Sequence, residues 1–145
     1  MDTLPEVLPV DQFWALVTQS EGDAHTLKRL LMRLSRDEIV AFNKQLYDAL
    51  CQLDRRDIHA VTDGSDDGFL YVRSWIVSRG REYFQSVLRD PERAPHDAYD
   101  EENEEFMYAA MEAYEEKFGE PLPGSLQRPG RAVNTAAWKG DRAHV

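Results

Sequence analysis

The side chains best suited to chemistry in this chain are gathered in one stretch, Ser65 to Glu82, which reads SDDGFLYVRSWIVSRGRE. Asp66 and Asp67 are neighbouring carboxylates, the kind of pair that can share acid–base work. Arg73, Arg79 and Arg81 carry planar guanidinium groups that grip carboxylates and phosphates through paired donors. With Trp75 beside them, these six residues are the candidate ligand-binding set. Nothing in the stretch selects a substrate, and no catalytic residue can be assigned.

The element that must position them is a helix over Asp66–Arg79. Ser65 is a suitable N-cap, because its hydroxyl can accept from an unpaired amide of the first turn. Asp66 and Asp67 then meet the positive end of the helix dipole, which explains them as well as catalysis does. Gly80 is expected to end the helix in a left-handed conformation. On a helical wheel Phe69, Leu70, Val72, Trp75, Ile76 and Val77 form a wide apolar arc. The polar remainder, Asp67, Tyr71, Ser74 and Ser78, is narrow, so the helix belongs in the middle of a bundle. Arg73 falls inside the apolar arc. A buried charge needs a partner, and Asp66 is seven positions away, about 10.5 Å of rise, too far for an easy bridge. Arg73 is therefore expected to meet a carboxylate of another helix, backbone carbonyls, or an anionic ligand. The simpler reading is a structural ion pair. The functional one is an anion pocket lined by Arg73 with Arg79 or Arg81 nearby.

Other chemistries are poorly served. Asp63-Gly64-Ser65-Asp66-Asp67-Gly68 matches the first half of a calcium loop, but the twelfth position is Ser74 where a bidentate glutamate is needed. The histidines, His25, His59, His96 and His144, lack ligand spacing, and Cys51 is the single cysteine, so no zinc signature and no intrachain disulfide arise. Cys51 lies beside a core stripe and reads as an inert thiol. The acids Glu101, Glu104, Glu105, Glu112, Glu115 and Glu116 read as a solvated face rather than a metal cage. No phosphate loop, dinucleotide fingerprint or nucleophile elbow is present. No metal and no cofactor are expected.

The remainder of the chain supplies helices to surround that element. After an extended lead-in over residues 1–10, Asp11 can cap a helix carrying Phe13, Trp14, Leu16 and Val17. Asp23 can cap a second, with Leu27, Leu30, Leu31 and Leu34 in a stripe. Ser35 and Glu38 make a capping box before a helix with Ile39, Phe42, Leu46, Leu50 and Leu53 on one face. Asn43 and Tyr47 border that face as a hydrogen-bonded rim. Asp54-Arg55-Arg56-Asp57 interrupts it, and Ile58–Val61 adds a helical turn. Helical spacing resumes over Arg81–Leu88. The acidic run Asp97–Glu105 leads into a last helix with Phe106, Met107, Ala110, Met111, Tyr114 and Phe118 inward, closed by Gly119.

Composition bounds the rest. The chain has 145 residues, 42% hydrophobic and 30% charged, with net charge −10, which suits one domain with a real core. The charge argues against nucleic acid and against an anionic membrane surface, and suits a basic protein partner. No secretory signal or membrane-length apolar run is present, so a cytoplasmic setting is expected. Residues 123–145 differ from the body: Arg128, Arg131, Lys139 and Arg142 stand against Asp141 alone. This tail reads as a disordered extension, or as one that docks on a neighbouring subunit through Trp138.

Several of these motifs together resemble a bacterial domain-of-unknown-function family. They are the opening Phe13-Trp14, Ser65-Asp-Asp-Gly-Phe69, Arg73-Ser-Trp75, Gly80-Arg81-Glu82 and Asp90-Pro91-Glu92. The resemblance covers most of Val10 to Leu122. Where members often carry Gly-Gly-Cys before the serine, this chain has Thr62-Asp63-Gly64. The resemblance implies a small helical domain and no settled activity. The sequence is thus read as an all-α bundle of five to seven helices around a buried central helix, occupying residues 11–122. Its first functional reading is a non-enzymatic binding or accessory protein for a protein, peptide or small anionic ligand near Arg73. The alternatives are a small enzyme with an Asp/Arg-lined pocket, and an acidic regulatory or toxin-neutralising protein.

Overall fold

A computed structural model describes residues 7–62, 66–96 and 101–123, with the side chains of Asp66 and Asp67 outside the description. Among these residues there are seven α-helices and no strand: α1 Val10–Ser20, α2 Ala24–Leu31, α3 Arg36–Gln52, α4 Arg56–Thr62, α5 Asp66–Ser78, α6 Arg81–Arg89 and α7 Glu104–Phe118, with a 3-10 turn at Pro91–Arg93. The proposed Ser65 cap, residues 63–65 of the calcium-like loop and all but Pro123 of the basic tail lie outside the described residues, while residues 66–68 of that loop open α5.

Local signals start several helices as expected. The Asp23 carboxylate accepts from the Thr26 amide at 2.9 Å and the Thr26 hydroxyl at 2.7 Å. At α3 the capping box is complete, Glu38 N–H to Ser35 Oγ at 3.2 Å and Ser35 N–H to Glu38 Oε1 at 2.9 Å. Each such cap stabilises its helix by about 1 kcal/mol. Asp11, by contrast, is not a cap. α1 begins two residues earlier than that cap would set it, at Val10 behind Pro9, whose carbonyl takes the Phe13 amide at 3.0 Å, and proline's fixed φ suits that entry. Asp11 sits in the first turn and its side chain is used elsewhere.

Burial completes what the caps begin. Ile39, Phe42, Leu46, Leu50 and Leu53 are all fully buried, so one stripe of α3 spans the core. α7 packs against α2, α3 and α5, presenting Phe106, Met107, Ala109, Ala110, Ala113 and Tyr114 inward. Helix α5 touches α1, α3, α4, α6 and α7, which makes it the hub of the bundle.

Two expectations about α5 are corrected. Ser74 and Ser78, assigned to a polar strip, are buried, whereas Leu70 and Trp75 of the apolar arc are only half-buried. Serine hydroxyls can go inside because backbone carbonyls receive them: Ser74 Oγ donates to Asn103 O at 2.7 Å, and Ser78 Oγ to Trp75 O at 2.6 Å. Gly80, expected as a left-handed helix end, has φ 106° and ψ 168° and serves instead as the N-cap of α6. That backbone region is essentially reserved for glycine.

Asn103 organises the polar seam on this side of α5. It occupies the N-cap position of α7 but makes no side-chain cap. Its side-chain amide instead donates to Gly22 O at 2.8 Å, and its backbone N–H donates to Tyr71 O at 3.1 Å. Gly22 has φ 76°, and a Cβ there would stand 3.4 Å from Ser78 O. The α1–α2 turn, α5 and the entry to α7 are therefore joined at one point.

Candidate functional site

Arg73 lies where the wheel places it, on the inward side of α5, only 4% exposed. What surrounds it is the end of another helix. Its Nη1 donates to Leu50 O at 2.8 Å and stands 4.0 Å from Asp54 Oδ1, while its guanidinium carbon lies 4.8 Å over the Phe69 ring. The last carbonyls of a helix lack intrahelical donors and form its negative pole. α3 has no basic residue of its own in its last turn, so Arg73 supplies that cation from α5. Burial pulls the Arg73 pKa down, opposed by Asp54. Of the three partners expected from the sequence, a carboxylate and a backbone carbonyl are both realised.

One other cation is used in the same way. Arg55 Nη1 donates to Leu88 O near the end of α6 at 3.0 Å; Lys117 Nζ instead reaches the Leu34 carbonyl in the α2–α3 connection. Arg55 also forms a fork with Asp57, at 3.0 and 2.6 Å, and holds that carboxyl below the usual range. Donation to a helix-end carbonyl thus occurs twice here, at Leu50 and at Leu88.

Arg79 and Arg81 do not join Arg73. Arg81 reaches across to α1 and pairs with Asp11 at 2.7 Å. Arg79, exposed at the end of α5, rests 5.5 Å over the Trp75 ring. Trp75 in turn meets Tyr83 of α6 edge-on, with ring centroids 5.8 Å apart. Among the described residues the Arg79 guanidinium makes no ion pair and no hydrogen bond. The anion pocket expected to combine Arg73 with Arg79 or Arg81 is therefore replaced by three separate settings, because a residue six places further along a helix points away from the first. Asp66 and Asp67 open α5, with side chains outside the description.

Two clefts open on the surface near these residues. One, of about 220 Å³, is lined by Val17, Thr18, Glu21, Ser78 and Arg79. The other, of about 170 Å³, is lined by Val10, Phe13 and Trp14 of α1, Gln45, Asp48, Ala49 and Gln52 of α3, and Phe84 of α6. Neither includes Arg73. Val10, Phe13, Trp14, Val17, Thr18 and Glu21 follow one another at helical spacing, so both clefts lie along a single ridge of α1, about 16 Å from end to end. The sequence reading missed this ridge. The one sequence signal is the helical spacing of Val10, Phe13, Trp14 and Val17, and it does not show which of them a cleft leaves open.

Remaining candidates fall where simple readings put them. Cys51 is partly buried, and burial pushes its thiol pKa up, away from nucleophilic use. Among the described residues no group of three or more His, Cys, Asp or Glu side chains could hold a metal ion. No helix among them is long and apolar enough to cross a membrane.

The fold and its surface define an all-α bundle whose conspicuous buried cation is structural in setting and whose open clefts flank α1. Residues 8–116 match the family described as "Protein of unknown function (DUF4240)", and the chain belongs to that family. No similar curated protein and no similar solved structure was found.

Proposed function

We propose that this protein is a non-enzymatic, cytoplasmic accessory domain that binds a protein or peptide partner along the α1 ridge, with Arg79 as its polar anchor. The observation that carries this reading is the state of Arg79. Its guanidinium is held on Trp75, exposed, and directed to no carboxylate or carbonyl among the described residues. Arg73, the residue first favoured for ligand binding, is enclosed by Leu50, Asp54 and Phe69.

Size and charge favour a polypeptide over a small anion. A cleft of about 220 Å³ is below the roughly 300 Å³ at which small-molecule sites begin, and suits one side chain. Glu21 lines the same cleft as Arg79. A bare anion would be repelled by it, whereas a peptide can place an acid on Arg79 and an N–H or a base on Glu21. Trp, Tyr and Arg are also the residues that most often dominate binding energy at protein interfaces.

The test is a photo-crosslinking residue placed at Thr18, beside Arg79, and separately at Glu112 on α7. A partner captured only from the Thr18 position is identified, purified and titrated against the full chain. Arg79→Ala should weaken that complex at least tenfold, with helix content and melting temperature unchanged. Equal capture from both positions, or unaltered affinity in Arg79→Ala, would overturn the reading.

A further inference from the structure

We infer that the second cleft on the α1 ridge, between α1, α3 and α6, receives an apolar side chain that is followed closely by a lysine or arginine, contributed by a basic protein partner. The inference rests on the α1 ridge being the binding face, and it adds the chemistry of what enters there.

Three features of the cleft agree on this occupant. Its floor is apolar: Phe13, Trp14, Ala49 and Phe84 are all less than a tenth exposed. The rings there are already mutually packed, Phe13 on Trp14 at 5.0 Å and Trp14 on Phe84 at 5.0 Å, so the floor is rigid before anything binds. Second, Val10, one of the two exposed large apolar side chains among the described residues, lines its α1 edge. An exposed apolar residue means little when isolated, but at the lip of an open cleft it extends the apolar floor to the surface.

The third feature is the opposite rim. Asp48 and Gln52 are exposed and, among the described residues, engage no ion pair or hydrogen bond of their own. Gln45, by contrast, is spent on Leu8 O. An apolar floor bordered by one uncommitted carboxylate and one uncommitted amide fits a hydrophobic group with a cation a few ångströms behind it. The net charge of −10 steers the same class of partner toward the surface. At about 170 Å³ the space takes a single side chain, so the cation must come from an adjacent residue rather than from within the cleft.

The experiment uses the full chain labelled with ¹⁵N and two probes that differ only in the charged end, tryptamine and indole-3-propionate. Tryptamine should shift the amides of Val10, Trp14, Ala49 and Phe84. Indole-3-propionate should bind at least fivefold more weakly, and Asp48→Asn should close that gap, weakening tryptamine while strengthening the propionate by removing the like-charge repulsion. Shifts confined to other residues, equal binding of the two probes, or no effect of Asp48→Asn would each overturn the inference. A gain in tryptamine affinity in Trp138→Ala would also overturn it, by making the chain's own basic tail the occupant. Dependence of the free-state shifts on protein concentration would do so by making a second copy the occupant. Failure here, with capture through the Arg79 cleft intact, removes this cleft alone and leaves the binding face standing.

Discussion

Arg73 and Arg79 leave the same helix and are put to different uses. Arg73 is enclosed, its charge set against the negative end of α3 and the Asp54 carboxylate. Arg79 is out in solvent, supported from below by Trp75 and facing a cleft. The difference shows that an arginine inside an apolar stripe is weak evidence for a ligand when a helix end lies opposite it. The pole of that helix already provides the anion. The more informative arginine is the one whose orientation is fixed by packing while its donors remain unspent.

The comparison can be broken most directly at Arg73. Arg73→Ala removes the cation and leaves Asp54 and the Leu50 carbonyl buried without it, so stability should fall by about 3–5 kcal/mol, measured by urea denaturation. Arg73→Lys should recover only part, because an ammonium lacks the planar fork. A loss within about 0.5 kcal/mol for Arg73→Ala, the range of ordinary surface changes, would place Arg73 with Arg79 and end the distinction.

A smaller effect is expected at the seam that buries the serine face of α5. Asn103→Ala strips the Gly22 carbonyl of its donor and should cost about 1–3 kcal/mol, read in the same way. Smaller again is the acid limb of the stability profile. Asp23 and Glu38 are held below the usual carboxylate range by hydrogen bonds to Thr26 and Ser35, and Asp57 by Arg55. Their unfolded forms take up protons first as pH falls. The contribution is therefore complete above the ordinary carboxylate range and lost as pH drops through the lower, folded values. Melting temperature should decline below about pH 4, and Ser35→Ala should flatten part of that decline.

The smallest effect on stability belongs to Arg79. Arg79→Ala should change it by no more than about 0.5 kcal/mol, since the side chain is exposed and only stacked. Its effect should appear in partner binding. A melting point that drops sharply in Arg79→Ala would mean that the stack on Trp75 is structural after all.

How much of this could be read beforehand depends on whether the cause was local. The Ser35–Glu38 box and the α3 stripe from Ile39 to Leu53 are written in consecutive turns, and the fold reproduces them. The depth of Arg73 followed from its neighbours on the wheel. Its partners did not, because Leu50 and Asp54 come from α3 and its exit, and only tertiary packing sets them beside α5. Ser74 is misplaced for a related reason: its hydroxyl looks polar in the sequence, but the carbonyl that receives it belongs to Asn103, 29 positions away. Ser78 needs no distant partner, since its hydroxyl turns back on Trp75 O of its own helix. The α1 ridge needed α3 and α6 in place before its clefts existed at all.

Asn103 also bears on the order of events in folding. Its bond to Gly22 spans 81 positions, and loop closure over such a distance must be met before the contact contributes anything. Helices α2 and α3 carry their own start signals and need no such meeting. The stitch should therefore form late, so that Asn103→Ala accelerates unfolding while leaving refolding nearly unchanged. A late stitch is also an early one to open, and the turn it fastens adjoins the end of α5. Slow amide exchange should be found along α3 and faster exchange at Gly22, which would make the corner beneath Arg79 more pliant than the α3 core.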